Sequence, residues 1–158
     1  MNAKTRQNQR PAYDDAAQSR LLDRLTKQLH AKYNARVNRF ETHISRILVC
    51  GSCAYKFRRP VRFPFADFRT LQQRREDCNR EWQLNQRTAS GLYIGVVDIN
   101  GTIDAAQLGG DGATIDVALK MHRFAQAGLL DHMAARHQLS AALIVSLGRH
   151  LGAFMHRL

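Results

Sequence analysis

Long apolar runs are missing from this sequence. Nowhere do the roughly 18 uninterrupted apolar residues of a membrane-spanning helix occur, which excludes an integral membrane protein built on such helices. The opening MNAKTRQNQRPAYDD also lacks the apolar stretch of a secretory signal. It is basic and acid-free up to Asp14, but Asp14 and Asp15 cut short any likeness to an organelle-targeting segment, so a cytoplasmic chain is expected. Cysteine is scarce: three residues cannot make an even-numbered disulfide framework, as a reducing compartment would predict. Acidic residues are also few, 13 against 24 Lys and Arg, and the resulting net charge of +11 favours nucleic acid, nucleotides or another anionic partner over a cationic one.

What is present suffices for one domain with a real core, since 44% of the 158 residues are hydrophobic. Residues 1–15 are polar, basic and aperiodic, and are expected to be disordered. Leu22, Leu25 and Leu29 recur at helical spacing after a potential cap at Asp14 or Asp15, which predicts an amphipathic helix over about 16–33. From Thr42, the β-branched and apolar Ile44, Ile47, Leu48 and Val49, interrupted at Gly51-Ser52 and resumed at Ala54-Tyr55-Lys56-Phe57, read as a β-hairpin ended by Pro60 and Pro64. Thr70 and Gln73 have capping-box spacing, so a helix is expected from there to about Thr88, with Gly91 as a left-handed cap.

Leu92–Ile99 reads as a strand followed by a tight Asn100-Gly101 turn, and Gly109, Gly110 and Gly112 mark a second turn region. Ile115, Val117, Leu119 and Met121 alternate with Asp116, Ala118, Lys120 and His122, the pattern of a strand with one buried face. Helices follow at about Leu129–Arg136 and from Ser140 onward, the last with Leu139, Leu143, Leu147, Leu151 and Phe154 on one face. The expected fold class is α+β, one helix packed on an antiparallel sheet, with further helices at the C-terminal end.

Cys50-Gly51-Ser52-Cys53 has the spacing of a redox pair or half a zinc site. Strand-like sequence follows it instead of the helix start that lowers a thiol pKa, and only the isolated Cys78 and His43 are on offer as further ligands; two small residues flanking a turn is the simpler account. The seven histidines make no metal-binding pair, and the glycines at 109, 110 and 112 lack the Gly-Lys-Ser/Thr of a phosphate loop. Lys56 and Glu81 stand out. Lys56 shares a strand face with Ala54, and on the following helix Leu71, Cys78, Trp82 and Asn85 cluster within about 40° of Cys78, with Glu81 about 60° away. A strand lysine held by a glutamate of the helix packed across it is the device by which protein kinases hold ATP phosphates.

The stretch Glu41-Thr42-His43-Ile44-Ser45, Gly51, Ala54-Tyr55-Lys56 with a basic pair and Pro60, Asp67-Phe68 and Thr70-Leu71 resembles the bacterial aminoglycoside phosphotransferase-like proteins, in many of which a kinase-like module precedes an ATP-binding P-loop domain. Glu81 with Leu84-Asn85, Leu92-Tyr93 with Gly95-Val96-Val97, Leu108-Gly109-Gly110, Lys120-Met121 and Arg123-Phe124 extend the resemblance over about residues 40–156. It implies a basic N-terminal segment with a short helix (1–40), a kinase-like N-lobe (41–124) and the helices of an incomplete second lobe (125–158). It further implies weak ATP binding, with Lys56 on the phosphates, Glu81 as its partner, Ala54 in the roof over adenine and Met121 to Arg123 as the hinge.

Cys50, Ser52 and Cys53 depart from the small or polar residues expected around the glycine turn. Neither a His-Gly-Asp catalytic segment nor an Asp-Phe-Gly magnesium-binding segment is present, so a truncated relative without magnesium ligands, inactive by itself, is expected. The last helix is then expected to meet a missing second lobe or another copy of the chain. The alternative from a different class is a nucleic-acid-binding or partner-binding regulatory module built on Arg58, Arg59, Arg62, Arg69, Arg74 and Arg75. No aromatic stacking platform is evident beside them, so a solvated basic face that binds nucleic acid non-specifically at low salt is expected.

Overall fold

The computed structural model describes residues 13–156 and divides into two compact units, Met1–His122 and Arg123–Leu158. In the first, helix α1 (Asp15–Tyr33) leads into strands β1 (Asn38–Glu41), β2 (Ser45–Cys50) and β3 (Cys53–Arg58), then a small hairpin of β4 (Arg62–Phe63) and β5 (Ala66–Asp67). Helix α2 (Leu71–Ala89), β6 (Tyr93–Asn100), the short β7 (Gln107–Leu108) and β8 (Thr114–His122) complete it. Six strands form one antiparallel sheet in the order β1-β2-β3-β8-β6-β7, while β4 and β5 pair separately. The α+β expectation holds at this level.

Two helices cover this sheet, one on each face, where one was expected. Alternation along each strand sends one set of side chains to each side. Leu48, Cys50, Cys53, Tyr55, Phe57, Ile99 and Ala118 pack with Leu21, Leu22, Leu25 and Leu29 of α1, whereas Ala54, Val117, Leu119 and Met121 pack with Cys78, Leu71 and Trp82 of α2. The four α1 leucines are at most 1% exposed, and each gains about 1.5–3 kcal/mol from such burial. Helix α1 thus belongs to the core, and the separate segment expected up to residue 40 is not seen as one: a leucine stripe of this kind needs a surface, and the sheet supplies it.

The same layering corrects β8. It is central, between β3 and β6, and buries both faces: Asp116, Val117, Ala118 and Leu119 are all 0% exposed. Of the segment expected to be disordered, residues 1–12 lie outside the described residues, but Tyr13–Asp15 are ordered, with the Asp14 carboxylate capping α1 by accepting from the Ala17 amide at 2.7 Å.

The capping box at α2 forms as its spacing predicts, Thr70 and Gln73 accepting reciprocally. Gly91 is not a left-handed cap. Ser90 ends the helix in a right-handed conformation, and the Leu92 amide closes the turn on the Ala89 carbonyl at 2.9 Å. Gly101 does turn with positive φ (+103°), where a Cβ would come within 2.7 Å of the Ala105 carbonyl oxygen. It leads into a 3-10 turn and β7, however, and not directly into the next long strand. The second unit contains α3 (Leu130–Ala135) and α4 (Ala141–Met155), with Ser140 capping α4.

Candidate functional site

Lys56 sits in β3 between Ile47 of β2 and Leu119 of β8, and its side chain points to the α2 face of the sheet. Glu81 lies on the turn of α2 that follows Cys78, a small buried side chain in the same cluster as Ala54. A small residue there lets the helix approach the sheet closely, and Lys56 Nζ then donates to Glu81 Oε1 at 2.8 Å and Oε2 at 3.0 Å. The pair is 23% and 15% exposed, so water screens it only partly. Asn85 donates to the Glu81 backbone carbonyl at 2.8 Å, a bond within the same helix face.

Glu81 has a second cation. Arg58, two residues beyond Lys56 on the same strand face, donates to Glu81 Oε2 and, through Nε, to Asp77, one helical turn earlier. Its remaining nitrogen reaches Ser45 Oγ at 2.9 Å, and its guanidinium lies 5.5 Å from the centre of the Phe68 ring. Lys56, Arg58, Asp77 and Glu81 form a neutral four-group ladder that locks α2 onto β3. A further pair, Arg75 with Asp98 at 2.8 Å, ties the helix to β6. Strand period and i,i+4 helix spacing could both have found the ladder from sequence, yet Arg58 reads there as one member of a basic run.

Ala54 and Met121 are register partners on β3 and β8 and are 5% and 6% exposed. Ile47 and Val49 on the same sheet face remain half-buried, and Phe40 of β1, which pairs with Ile47, is 45% exposed. A partly open apolar strip therefore runs beside Lys56. Met121 is followed by His122, the last residue of β8 and of the first unit. The turn joining β1 to β2, at the Arg58 end of the sheet, contains Thr42-His43-Ile44 and no glycine. Gly51, with φ +56°, lies at the opposite end, in the β2–β3 turn.

Cys50 and Cys53 are cross-strand partners on the α1 face, both buried and not disulfide-bonded, so alternation puts them on the side of the sheet away from Lys56. Burial pushes the Cys78 thiol up to about 12, which leaves it protonated and unreactive at neutral pH. Among the described residues no group of three or more His, Cys, Asp or Glu side chains is placed to hold a metal ion, and no helix is long and apolar enough to cross a membrane.

A buried hub that sequence inspection misses lies where β3 leaves β8. Asp116 accepts from Arg74 Nε at 2.7 Å, Gln18 Nε2 at 2.9 Å and the Tyr13 hydroxyl, and Arg74 stacks 4.6 Å from the Tyr13 ring centre. Arg74 also donates to the Phe68 and Arg69 carbonyls, while Gln18 joins the Arg58 carbonyl to Arg46. Burial, reinforced by the Asp116 charge, holds the Tyr13 hydroxyl well above the usual phenol range.

No family model matches the chain, and no solved structure matches it. It is similar to an uncharacterized protein of Mycobacterium tuberculosis and to one of Mycobacterium bovis, each 40% identical over 60 residues. That stretch is 38% of this chain and 12% of the length of each of those relatives.

Proposed function

We propose that the first unit is a nucleotide-binding, kinase-like N-lobe of the aminoglycoside phosphotransferase-like kind, with Lys56 as the phosphate-holding lysine. The observation that carries this reading is the two-pronged contact of Lys56 Nζ with both Glu81 carboxylate oxygens. It joins a lysine in the third strand of an antiparallel sheet to a glutamate in the helix that follows, the pairing required in protein kinases. Glu81 fixes the ammonium against the sheet, so little side-chain freedom remains to be lost when a phosphate oxygen takes up a further donor of the same group.

The residues suit an adenine nucleotide in two of three respects. The strip of Ile47, Val49 and Phe40 offers an apolar surface for a purine next to Ala54 and Met121, and Lys56 offers charge beside it. The β1–β2 turn lacks the glycines that let a backbone close over phosphates, which favours weak binding. When bound, ATP would supply the transferable phosphoryl group. Lys56 would hold its phosphates, and Arg58 would keep Glu81 in place as Lys56 shifts toward them. The reading proposed for this unit is one of nucleotide binding.

The test is a titration of the full chain with a fluorescent ATP analogue, displaced by ATP. One charge-assisted hydrogen bond is worth about 1.5–3 kcal/mol, so Lys56→Ala should weaken binding about tenfold or more, with Glu81→Gln weaker than wild type as well. Binding that Lys56→Ala leaves unchanged, or no displacement at millimolar ATP, overturns the reading.

A further inference from the structure

Between β3 and α2 the chain detours through the β4–β5 hairpin, which contributes no phenylalanine to either hydrophobic cluster, although Phe68 just after it is buried. Phe63 and Phe65 instead stack on each other outside the core, ring centres 5.5 Å apart and planes 10° from parallel. His43, from the β1–β2 turn, meets Phe63 edge-on at 5.9 Å, so three rings from two loops form one array. Phe65 is 70% exposed, the most exposed large apolar side chain among the described residues.

Arginines flank the array. The side chains of Arg62 and Arg69 are 67% and 56% exposed, and Arg80 of α2 lines the hollow next to Phe65. Asp67 lies among them, bound by Arg69 at 2.7 Å and 4.0 Å from Arg62, and Glu76 and Asp77 line the same hollow as Arg80, Asp77 being held by Arg58. The Arg69 hydrogen bonds hold the Asp67 carboxyl below the usual carboxylate range, and it remains a counter-charge to Arg69.

We propose that this hairpin is a stacking platform for single-stranded nucleic acid. A base would continue the Phe63–Phe65 stack on the open side of Phe65, with adjacent phosphates meeting Arg62 and Arg69. Flat aromatic faces beside exposed guanidinium groups are the two components by which proteins hold single strands without reading sequence, and the net charge of +11 complements a polyanion. An acidic protein would satisfy the arginines but has no need of stacked rings. A duplex would satisfy them too, but its base faces are already covered. Stacked rings thus do accompany the basic residues, contrary to the expectation from sequence, and neither Phe63 nor Phe65 belongs to the Lys56–Glu81 ladder.

Fluorescence anisotropy of the full chain with a labelled 12-nucleotide oligo(dT), against a 12-base-pair duplex, tests it at several salt concentrations. At physiological salt the single strand should bind more tightly than the duplex. Phe65→Ala should weaken it by about five- to 150-fold with the salt slope unchanged, and Phe65→Trp should restore it. Arg62→Ala should instead reduce the salt slope by about one. Phe65 is exposed, so an unchanged thermal melt would certify the variants as folded. Equal affinity for duplex, insensitivity to Phe65→Ala, or capture of acidic peptide but not oligo(dT) overturns the proposal.

Discussion

Arg74 and Asp116 show how far a residue's role can depart from its sequence context. Arg74 stands beside Arg75 in a helix that reads as basic and solvated, yet it is fully buried, and its partner is 42 positions away in a strand where Asp116 alternates with apolar residues. The ion pair survives burial because nearly every polar atom has a partner: Asp116 accepts from Arg74, Gln18, Tyr13 and the Val117 amide, and Arg74 donates to three further carbonyls, those of Phe68, Arg69 and Ile115. Removing one charge leaves the other buried and uncompensated, so Asp116→Asn should cost about 3–5 kcal/mol, read as a fall in the urea midpoint. A loss under about 1 kcal/mol would mean that water or a rearranged side chain satisfies Arg74. Lys56 and Glu81 are the contrasting case, since strand and helix periodicity make both candidates, and the packing of α2 on the Ala54 face of the sheet brings them together.

At the scale of elements, boundaries follow local chemistry where a side chain supplies the missing hydrogen bond. Thr70 caps α2 at the position its spacing predicts, and of the two candidates Asp14 and Asp15 it is Asp14 that caps α1, because those bonds close within a few residues. Thr70→Ala should therefore lower stability by about 1 kcal/mol, seen in a chemical-denaturation midpoint, with the slope of the transition unchanged. The effect matters for the site because α2 carries Asp77 and Glu81. Gly91 and β8 show where local rules fail. A glycine after a helix permits the left-handed cap without requiring it, and the alternation in β8 marks one apolar face but cannot reveal that Ala118 and Asp116 are also covered, by α1 and its network. Strand β1 escapes local reading as well: Asn38-Arg39-Phe40-Glu41 has almost no apolar pattern and is a strand because β2 offers it an edge.

Across the whole molecule the two units differ in kind. The first has two cores separated by a sheet, whereas the second buries no side chain among its described residues. In α4, Leu143, Leu147 and Phe154 are only half-covered, and Ile144, Val145, Leu151 and Met155 are 48–65% exposed. A helix this apolar gains about 1.5–3 kcal/mol for each such side chain it covers, a strong drive to find a surface. The full chain should accordingly self-associate in sedimentation velocity, shifting to larger species as concentration rises, and Val145→Glu with Leu151→Glu should return it to monomer. A monomer at all concentrations would show that these side chains are covered within the chain itself.

Periodicity and bonds made within a few residues are enough to specify the α+β class, the long helices, the Thr70 capping box, the central hairpin and the candidacy of Lys56 and Glu81. Packing between distant segments settles the rest: α1 closes the second face of the sheet, Arg58 shares Glu81, Arg74 is buried on Asp116, and Phe63 and Phe65 stack outside the core. Apart from the Phe63–Phe65 stack, which forms within one hairpin, those features bring together elements far apart in the chain, and register, layer and the exit of β3 from β8 fix which side chains meet. Composition counts the arginines, but only packing sorts them into buried anchors such as Arg74 and exposed ones such as Arg62.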